Sequence, residues 1–517
     1  MRCSRFRYAS VVLWISVFGC GTAAGVSGCH PSTCSDTVTC GTGPKTEEPT
    51  CNADPALDPA EDDCGVFVSS SLGDDASPGT REQPVRTLVK AIALARARSG
   101  PLRVYACAEV FPEAVMVPSG IEVWGGLDCA DNWVYVGDNR RTVLAPAPGA
   151  IPLQVHASDL EGISTLADLR LEAADASLPG GSSIAMLVQP DAAVELRRSE
   201  LRAGDGANGE LGQEGGDGPA AGGTSGWSGG PACSANVVPG GPAVVTSCDD
   251  GSTLGGQGGD GNVSGGGTGL DGQPEPDPNP LGFGLGGMGE AGSDCLAGQN
   301  GSSGADGAHG LGGRGGGRIT FDGWEGERGG DGRKGLRGQG GGGGGGSRGG
   351  SLYCGVAPDV PKGGASGGSG GGGGCGGRGG RGGGHGGASI GLISFSGDVS
   401  VFATSIVTGN GGDGGAGGIA QLGGAPGVPG DGGMGVNASH YGCSGGWGGQ
   451  GGSGGYGGGG LGGASIGVAH LAGQPAAMHD AAVKTGMPGK GGPGGNPAVT
   501  GSAGADGVRD DTLGFPQ

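Results

Sequence analysis

The residues whose types could do chemistry are scattered acids, histidines and cysteines. The tetrad Gly-Gly-Asp-Gly occurs at Gly215–Gly218, Gly258–Gly261, Gly329–Gly332 and Gly411–Gly414. A calcium-binding nonapeptide turn needs an aliphatic residue two positions after the Asp. Those positions hold Pro219, Asn262, Arg333 and Gly415, and the tetrads are not in tandem, so Asp-Gly turns are the expectation. Asp128, Asp131, Asp159 and Asp168 are of the type used in polysaccharide cleavage, which needs clustered carboxylates. Their spacing gathers none of them onto one face, and His156 stands alone. His309, His385, His440, His470 and His479 lack the paired cysteines of a zinc site. Glycine pairs are so frequent that a nucleotide-loop match carries no weight, and none precedes Lys-Ser/Thr. No catalytic residue, metal ligand, cofactor or cofactor-binding residue is assigned.

The cysteines speak of address. Arg2, Arg5 and Arg7 precede the apolar run Val11 to Phe18 and then small residues, the pattern of an export signal too short to remain as a spanning helix. Val17-Phe18-Gly19-Cys20 and Val26-Ser27-Gly28-Cys29 resemble the lipobox of bacterial lipoproteins, in which a small residue precedes the acylated cysteine. Phe18 is bulky for such a site, so Cys29 is the expected lipidation residue and Cys20 the weaker alternative. Of 15 cysteines, processing at Cys29 leaves an even number, as a disulfide-bonded exported chain requires. Ordinary cleavage without a lipid is the competing reading. The resemblance implies a signal peptide over 1–28, a membrane partner through the lipid, and a place at the outer membrane, cell surface or outside the cell. Residues 29–63 are rich in Ser, Thr, Pro and acids and read as a flexible tether, with local bridges Cys34–Cys40 and Cys51–Cys64.

What must position any site is a repeated apolar unit. Ser183-Ile184-Ala185-Met186, Ser389-Ile390-Gly391-Leu392 and Ser465-Ile466-Gly467-Val468 open three similar stretches. Their columns align as Val194/Val399/Ala476, Leu196/Val401/Met478 and Leu201/Ile406/Val483. A unit of about twenty residues cannot bury its own apolar face, so the copies are expected to stack as consecutive rungs. Upstream, Gly65 to Ser69 reads as a strand, the Gly73 to Thr80 cluster as a turn, and Leu88, Ile92 and Ala95 as one helical face. Strands follow at Arg103 to Ala106, Gly120 to Trp124, Thr142 to Ala145, Leu153 to His156, Leu166 to Ala173, Ile184 to Val188 and Val194 to Leu201.

The order strand, Gly73-Asp74-Asp75-Ala76-Ser77-Pro78-Gly79-Thr80, Pro84, helix over roughly 64–145 resembles the N-terminal opening of pectin-lyase-like right-handed parallel β-helix proteins. The resemblance implies an all-β, right-handed parallel β-helix over 64–203 whose open end is covered by a capping helix; it implies little about activity. Cys107 and Cys129 lie about one coil apart in such a fold, which places them on neighbouring rungs within disulfide reach. Trp124 and Trp133 are expected to close the core, with surface sugar binding the alternative.

Most of the 137 glycines fall after residue 203. They divide the rest into an insert, 204–388, and a segment, 389–517, with two further coils and their own glycine-rich loops. Glycine recurs at every third position over 298–318 and 323–346, a spacing that lets chains approach closely. The absence of proline over 298–318 argues against a collagen trimer. Polyglycine-like strands packed side by side and solvated disordered loops both fit. Three staples are expected there, Cys233–Cys248, Cys354–Cys375 and Cys295–Cys443. A net charge of −21 argues against nucleic acid as partner. These features predict a non-catalytic surface or secreted protein with a structural or adhesive role, lipid-anchored, whose further partner is cell-envelope or extracellular polysaccharide. The alternative is a carbohydrate-binding or polysaccharide-degrading protein on the same scaffold.

Overall fold

Short runs of alternating Val, Leu and Ile separated by turn residues favour half-buried strands, and the chain is accordingly mostly sheet. The computed structural model describes residues 51, 54–160, 162–355 and 361–516. Three sheets, each parallel along its main path, carry the first part of the fold. The first runs Val66–Val68, Arg103–Cys107, Glu122–Asp128, Ser164–Ala167, Val194–Arg197, Val399–Phe402 and Ala477–His479. The second runs from Val110–Phe111 through Thr142–Leu144, Leu169–Ala173, Glu200–Ala203 and Ser405–Thr408 to Ala482–Lys484. The third runs from Val115–Pro118 through Leu153–His156, Ser183–Val188, Ser389–Ser394 and Ser465–Leu471 to Arg509–Phe515. Each pass of the chain gives one strand to each sheet in turn.

The repeated units are neighbours in this stack. Ile184 is opposite Ile390, and Ile390 opposite Ile466. Leu201, Ile406 and Val483 form a second column. Inside, fully buried Leu166, Leu169, Leu171, Met186, Leu392 and Val468 fill one continuous core. Each such side chain contributes roughly 1.5–3 kcal/mol by leaving water. Helix α1, Leu88–Ala97, turns Leu88, Ala91, Ile92 and Ala95 into the same core. N–H groups at and just before its start are met by side chains: Asp75 of the turn cluster takes those of Arg86 and Thr87 at 2.9 Å, and Glu113, from the link between two later strands, takes that of Leu88 at 2.8 Å.

Two stretches expected as single strands are each two. Leu166 to Ala173 breaks at Asp168 and Val194 to Leu201 at Arg198, with Ala403 and Asp480 at the same corner in later passes. All four have positive φ, 57°, 44°, 45° and 49°, so the chain turns sharply from the first sheet into the second. The inward-facing set changes parity at the corner, from Leu166 to Leu169 and Leu171 and from Leu196 to Leu201, so the bend shows in the sequence as a three- or five-residue step in the alternation. The expected tether also ends early. Ala60 is buried, and the Asp54 carboxylate holds Arg198 at 2.7 and 3.0 Å, so from Asp54 onward the chain packs on the sheets.

The glycine-rich segments leave and re-enter at one corner, between the second and third sheets. They span 204–388, 409–464 and 485–508 in three successive passes. They form a bundle of extended runs joined by backbone hydrogen bonds. In the central run, 363–387, three consecutive N–H groups address three different chains. Gly367 donates to Gly259 O at 2.8 Å, Gly368 to Cys443 O at 3.0 Å, and Ser369 to Trp227 O at 2.9 Å. The next triplet repeats the rotation, with Gly370 to Gly256, Gly371 to Gly446 and Gly372 to Thr224. Three residues per turn without internal hydrogen bonds is the polyproline II geometry. Glycine is required because no space exists between runs: a Cβ on Gly370 would overlap the Gly341 carbonyl, and one on Gly343 the Gln257 carbonyl. Of the two states open to the sequence, the chain adopts the packed one.

Candidate functional site

Residues that break the glycine rhythm collect where the runs end. Run 363–387 spans roughly 75 Å at 3.1 Å per residue, with Gly387 beside the third sheet and Gly363 at the far end. The hydrogen-bonded pairs Ser366 with Gly230, Gly433 with Ser366, Ser347 with Ala365, and Gly261 with Val238 bring the loops near 231–238, 262–266, 348–355 and 433–442 to that far end. The loop near 289–297 joins them through Gly266 to Glu290 and Gly298 to Ser444. Helix α2, Ser351–Cys354, lies in this group, its last turn tied to Asn437 by the Asn437 amide donating to Cys354 O at 3.2 Å. Disulfides Cys233–Cys354 and Cys295–Cys443 clamp the loops. Nδ1 of His440 sits 3.2 Å from Glu290 and 3.3 Å from Asp294. Leu352 and Tyr441 are 80% and 67% exposed, with Met288, Leu296 and Met434 also exposed. The far end thus offers apolar and aromatic side chains on a rigid, covalently closed platform.

The flanks of the bundle carry charge. Asp249 and Asp250, at the turn of the hairpin Val244–Cys248/Gly251–Gly255, pair with Lys334, Arg337 and Arg378. Burial holds the Lys334 ammonium below its ordinary pKa, and Arg378 and Arg337 push the same way. Asp331 lies below the carboxylate range, first because the Gly382 N–H donates to it and then because Arg381 stands 2.7 Å away. Nearby, at the corner where the runs leave the sheets, a cavity of about 440 Å³ is lined by Glu210, Gln213, Arg328, Arg381 and His385. A second of about 300 Å³ is lined by Ile151, Leu178 and Trp324 and shares Gly180 with the first.

The residues singled out in the sequence are placed as follows. Cys20, Cys29, Cys34 and Cys40 lie outside the described residues. Cys51 is bonded to Cys64, Cys107 to Cys129 and Cys295 to Cys443. The expected pairs Cys233–Cys248 and Cys354–Cys375 are corrected to Cys233–Cys354 and Cys248–Cys375. Lateral pairing of the runs, parallel for some and antiparallel for others, makes distant cysteines neighbours, whereas Cys233 is at the far end and Cys248 part-way along. The four acids do not converge. Asp128 faces Arg140, Asp159 faces Arg96, and buried Asp168 accepts from Tyr135 at 2.8 Å and Arg198 at 2.7 Å. Burial and the Asp168 hydrogen bond together raise the Tyr135 pKa, while Asp168 and Asp54 hold Arg198 firmly protonated. His156 Nδ1 lies 2.9 Å from Ala157 O. Trp124 and Trp133 are buried in a separate cluster with Phe67 and Tyr105, on the face of the first sheet away from the main core.

Three of the four tetrad aspartates are a further correction; the fourth, Asp217, does lie at a bend, beside Gly218 with a φ of 88°. Asp260, Asp331 and Asp413 make no turns. Each lies on a run and accepts a backbone N–H from the next, Gly240 at 2.9 Å, Gly382 at 2.8 Å and Lys490 at 2.7 Å. Asp205, Asn208, Asn300, Asn410 and Asp306 do the same elsewhere. Outer N–H groups lack a carbonyl on that side, and an Asx side chain supplies one. Sequence reading missed the loop residues at the far end, whose signal was their departure from triplet glycine. Among the described residues, Cys107, Glu109 and Cys129 are close enough to clasp a metal, but both sulfurs are in the disulfide. Glu109 itself is held by Ser69 and Ser70 hydroxyls at 3.1 and 2.9 Å and by Ser71. No protein-family model, curated protein or solved structure matches the chain.

Proposed function

We propose that this protein is a non-catalytic, exported adhesive scaffold, lipid-anchored through Cys29, that presents the loops at the far end of its glycine bundle to a partner surface. On this reading the three sheets form a right-handed parallel β-helix of the pectin-lyase-like kind, which acts as the base. One strand per sheet in every pass supports that architecture. Five disulfides support an oxidising compartment. Among the described residues no helix is long and apolar enough to cross a membrane.

The single observation that carries the reading is the set of five loops, four of them joined in pairs by Cys233–Cys354 and Cys295–Cys443, with Leu352 and Tyr441 standing into solvent. Contact surfaces draw most of their affinity from such aromatic and apolar anchors on preorganised supports. Beads coated with the purified chain should adhere to bacterial cell-envelope material. A Leu352→Ser/Met434→Ser/Tyr441→Ser variant should lose that adhesion with an unchanged melting temperature. Adhesion indifferent to these substitutions, or turnover of a polyuronate by the wild type, overturns the proposal. A palmitate analogue should label the wild type and not Cys29→Ser.

A further inference from the structure

The paired cavities at the corner of the sheets belong to neither the far-end loops nor the structural clips, and they are chemically matched halves. In the polar half, Glu210 and Gln213 are exposed, and their side chains have no protein hydrogen-bond partner among the described residues. Arg381 spends one nitrogen on Asp331 at 2.7 Å, and Arg328 one on Gly382 O at 3.1 Å. Arg328 also lies 3.9 Å from Asp331, and both arginine side chains are 64% exposed, with donors left over for a ligand. His385 rests its Nδ1 3.1 Å from Gly386 O and its ring edge-on to Trp324, with centroids 5.6 Å apart. That contact and Gly180 join the polar half to the half lined by Ile151, Leu178 and Trp324.

Donors and acceptors here stand side by side. Glu210 and Asp331 offset Arg328 and Arg381, so a strongly anionic ligand gains little. Hydroxyl groups, which donate and accept at once, complement a carboxylate, an amide and two guanidinium groups together. The second half is mixed, with Ile151 and Leu178 able to take a C–H face beside the polar Ser177, Ser182 and Asp322. Volumes of about 440 and 300 Å³ fall in the range of small-ligand sites. We infer that the corner between the second and third sheets is a binding site for a neutral oligosaccharide, with Glu210, Gln213, Arg328 and Arg381 holding its hydroxyls. The site is separate from the adhesive loops and stands or falls without them.

Saturation-transfer NMR and calorimetry on the full, disulfide-intact chain test this with cellotetraose, maltotetraose, chitotetraose and mannotetraose. At least one should bind at millimolar concentration. Glu210→Ala/Gln213→Ala should weaken it by about tenfold or more, through lost hydrogen bonds to a charged and a neutral group. That variant should keep the wild-type melting temperature, because neither side chain has a protein partner, and the far-end triple serine variant should bind as the wild type does. The inference fails if none of the four sugars binds, if binding is unchanged in the double variant, or if tetragalacturonate binds in preference to all four.

Discussion

The sheet stack and the glycine bundle solve the same packing problem by opposite means. In the stack, the three sheets are held apart by side chains, and Leu392, Val468 and Met186 fill the space between them. In the bundle, chains touch through their backbones, and the interior contains almost nothing but carbonyl and N–H groups bonded to one another. Side-chain burial stabilises the first. The second must rest on saturated hydrogen bonding and close contact, with covalent clamps to offset the large conformational entropy that glycine loses on ordering. Tolerance to substitution should therefore be inverted between the two regions.

The sharpest way to break this comparison is to add atoms to the bundle. Gly370→Val places a branched side chain against the Gly341 carbonyl, and the bundle should fail to assemble; hydrogen exchange over 363–387 would rise to the rate of an unstructured chain. A variant that retains protection there would refute backbone-to-backbone packing. Next in size, Cys295→Ser/Cys443→Ser opens a loop with a sequence separation of 148. In the chain-entropy treatment this costs about 5 kcal/mol, and the midpoint of denaturant unfolding should fall accordingly. In the stack it is removal of atoms that should hurt: Leu392→Ala, in a fully buried position, should cost about 3 kcal/mol in the same measurement. Asp413→Ala, which frees only the N–H of Lys490 near solvent, should cost about 1 kcal/mol.

The smallest effect is electrostatic. Burial alone would push the Glu109 carboxyl up, yet hydrogen bonds from Ser71, Ser70 and Ser69 bring it below its ordinary value. A lowered pKa in the folded state means stabilisation that is present above the unfolded value, about 4.3, and is lost as pH falls through the folded one. Glu109→Gln should thus lower the melting temperature at neutral pH and narrow its difference from the wild type in acid. An equal difference at both pH values would assign those contacts no role.

The two regions also differed in legibility. Apolar columns led from Ile184 to Ile390 and Ile466 because side chains carry rung position, and the helical face Leu88, Ile92, Ala95 pointed inward as its spacing required. Sharp corners at Asp168 and Arg198 escaped although the odd steps from Leu166 to Leu169 and from Leu196 to Leu201 mark them, because each run reads as one strand. Glycine carries no such signal. A packed run and a solvated loop have the same composition, and which runs are neighbours is settled by backbone pairing that no residue type announces. Hence Cys233 and Cys248, close in sequence, are bonded to Cys354 and Cys375 instead. The corner cavity was equally hidden, since Glu210 and Arg381 meet only because run 207–213 lies against run 381–387.

One irregularity has a bearing on how such molecules vary. Gly215 donates to Ile419 and Ala220 to Leu422, so one chain advances five residues while its neighbour advances three, and the surplus is absorbed around Gly218, whose φ is 88°. Lateral pairing resumes in phase beyond it. Insertions that are not multiples of three are therefore expelled as local blisters, while whole triplets added to the outgoing and returning chains together extend the reach by steps of about 9 Å. Such a molecule can be lengthened in increments without redesigning either extremity.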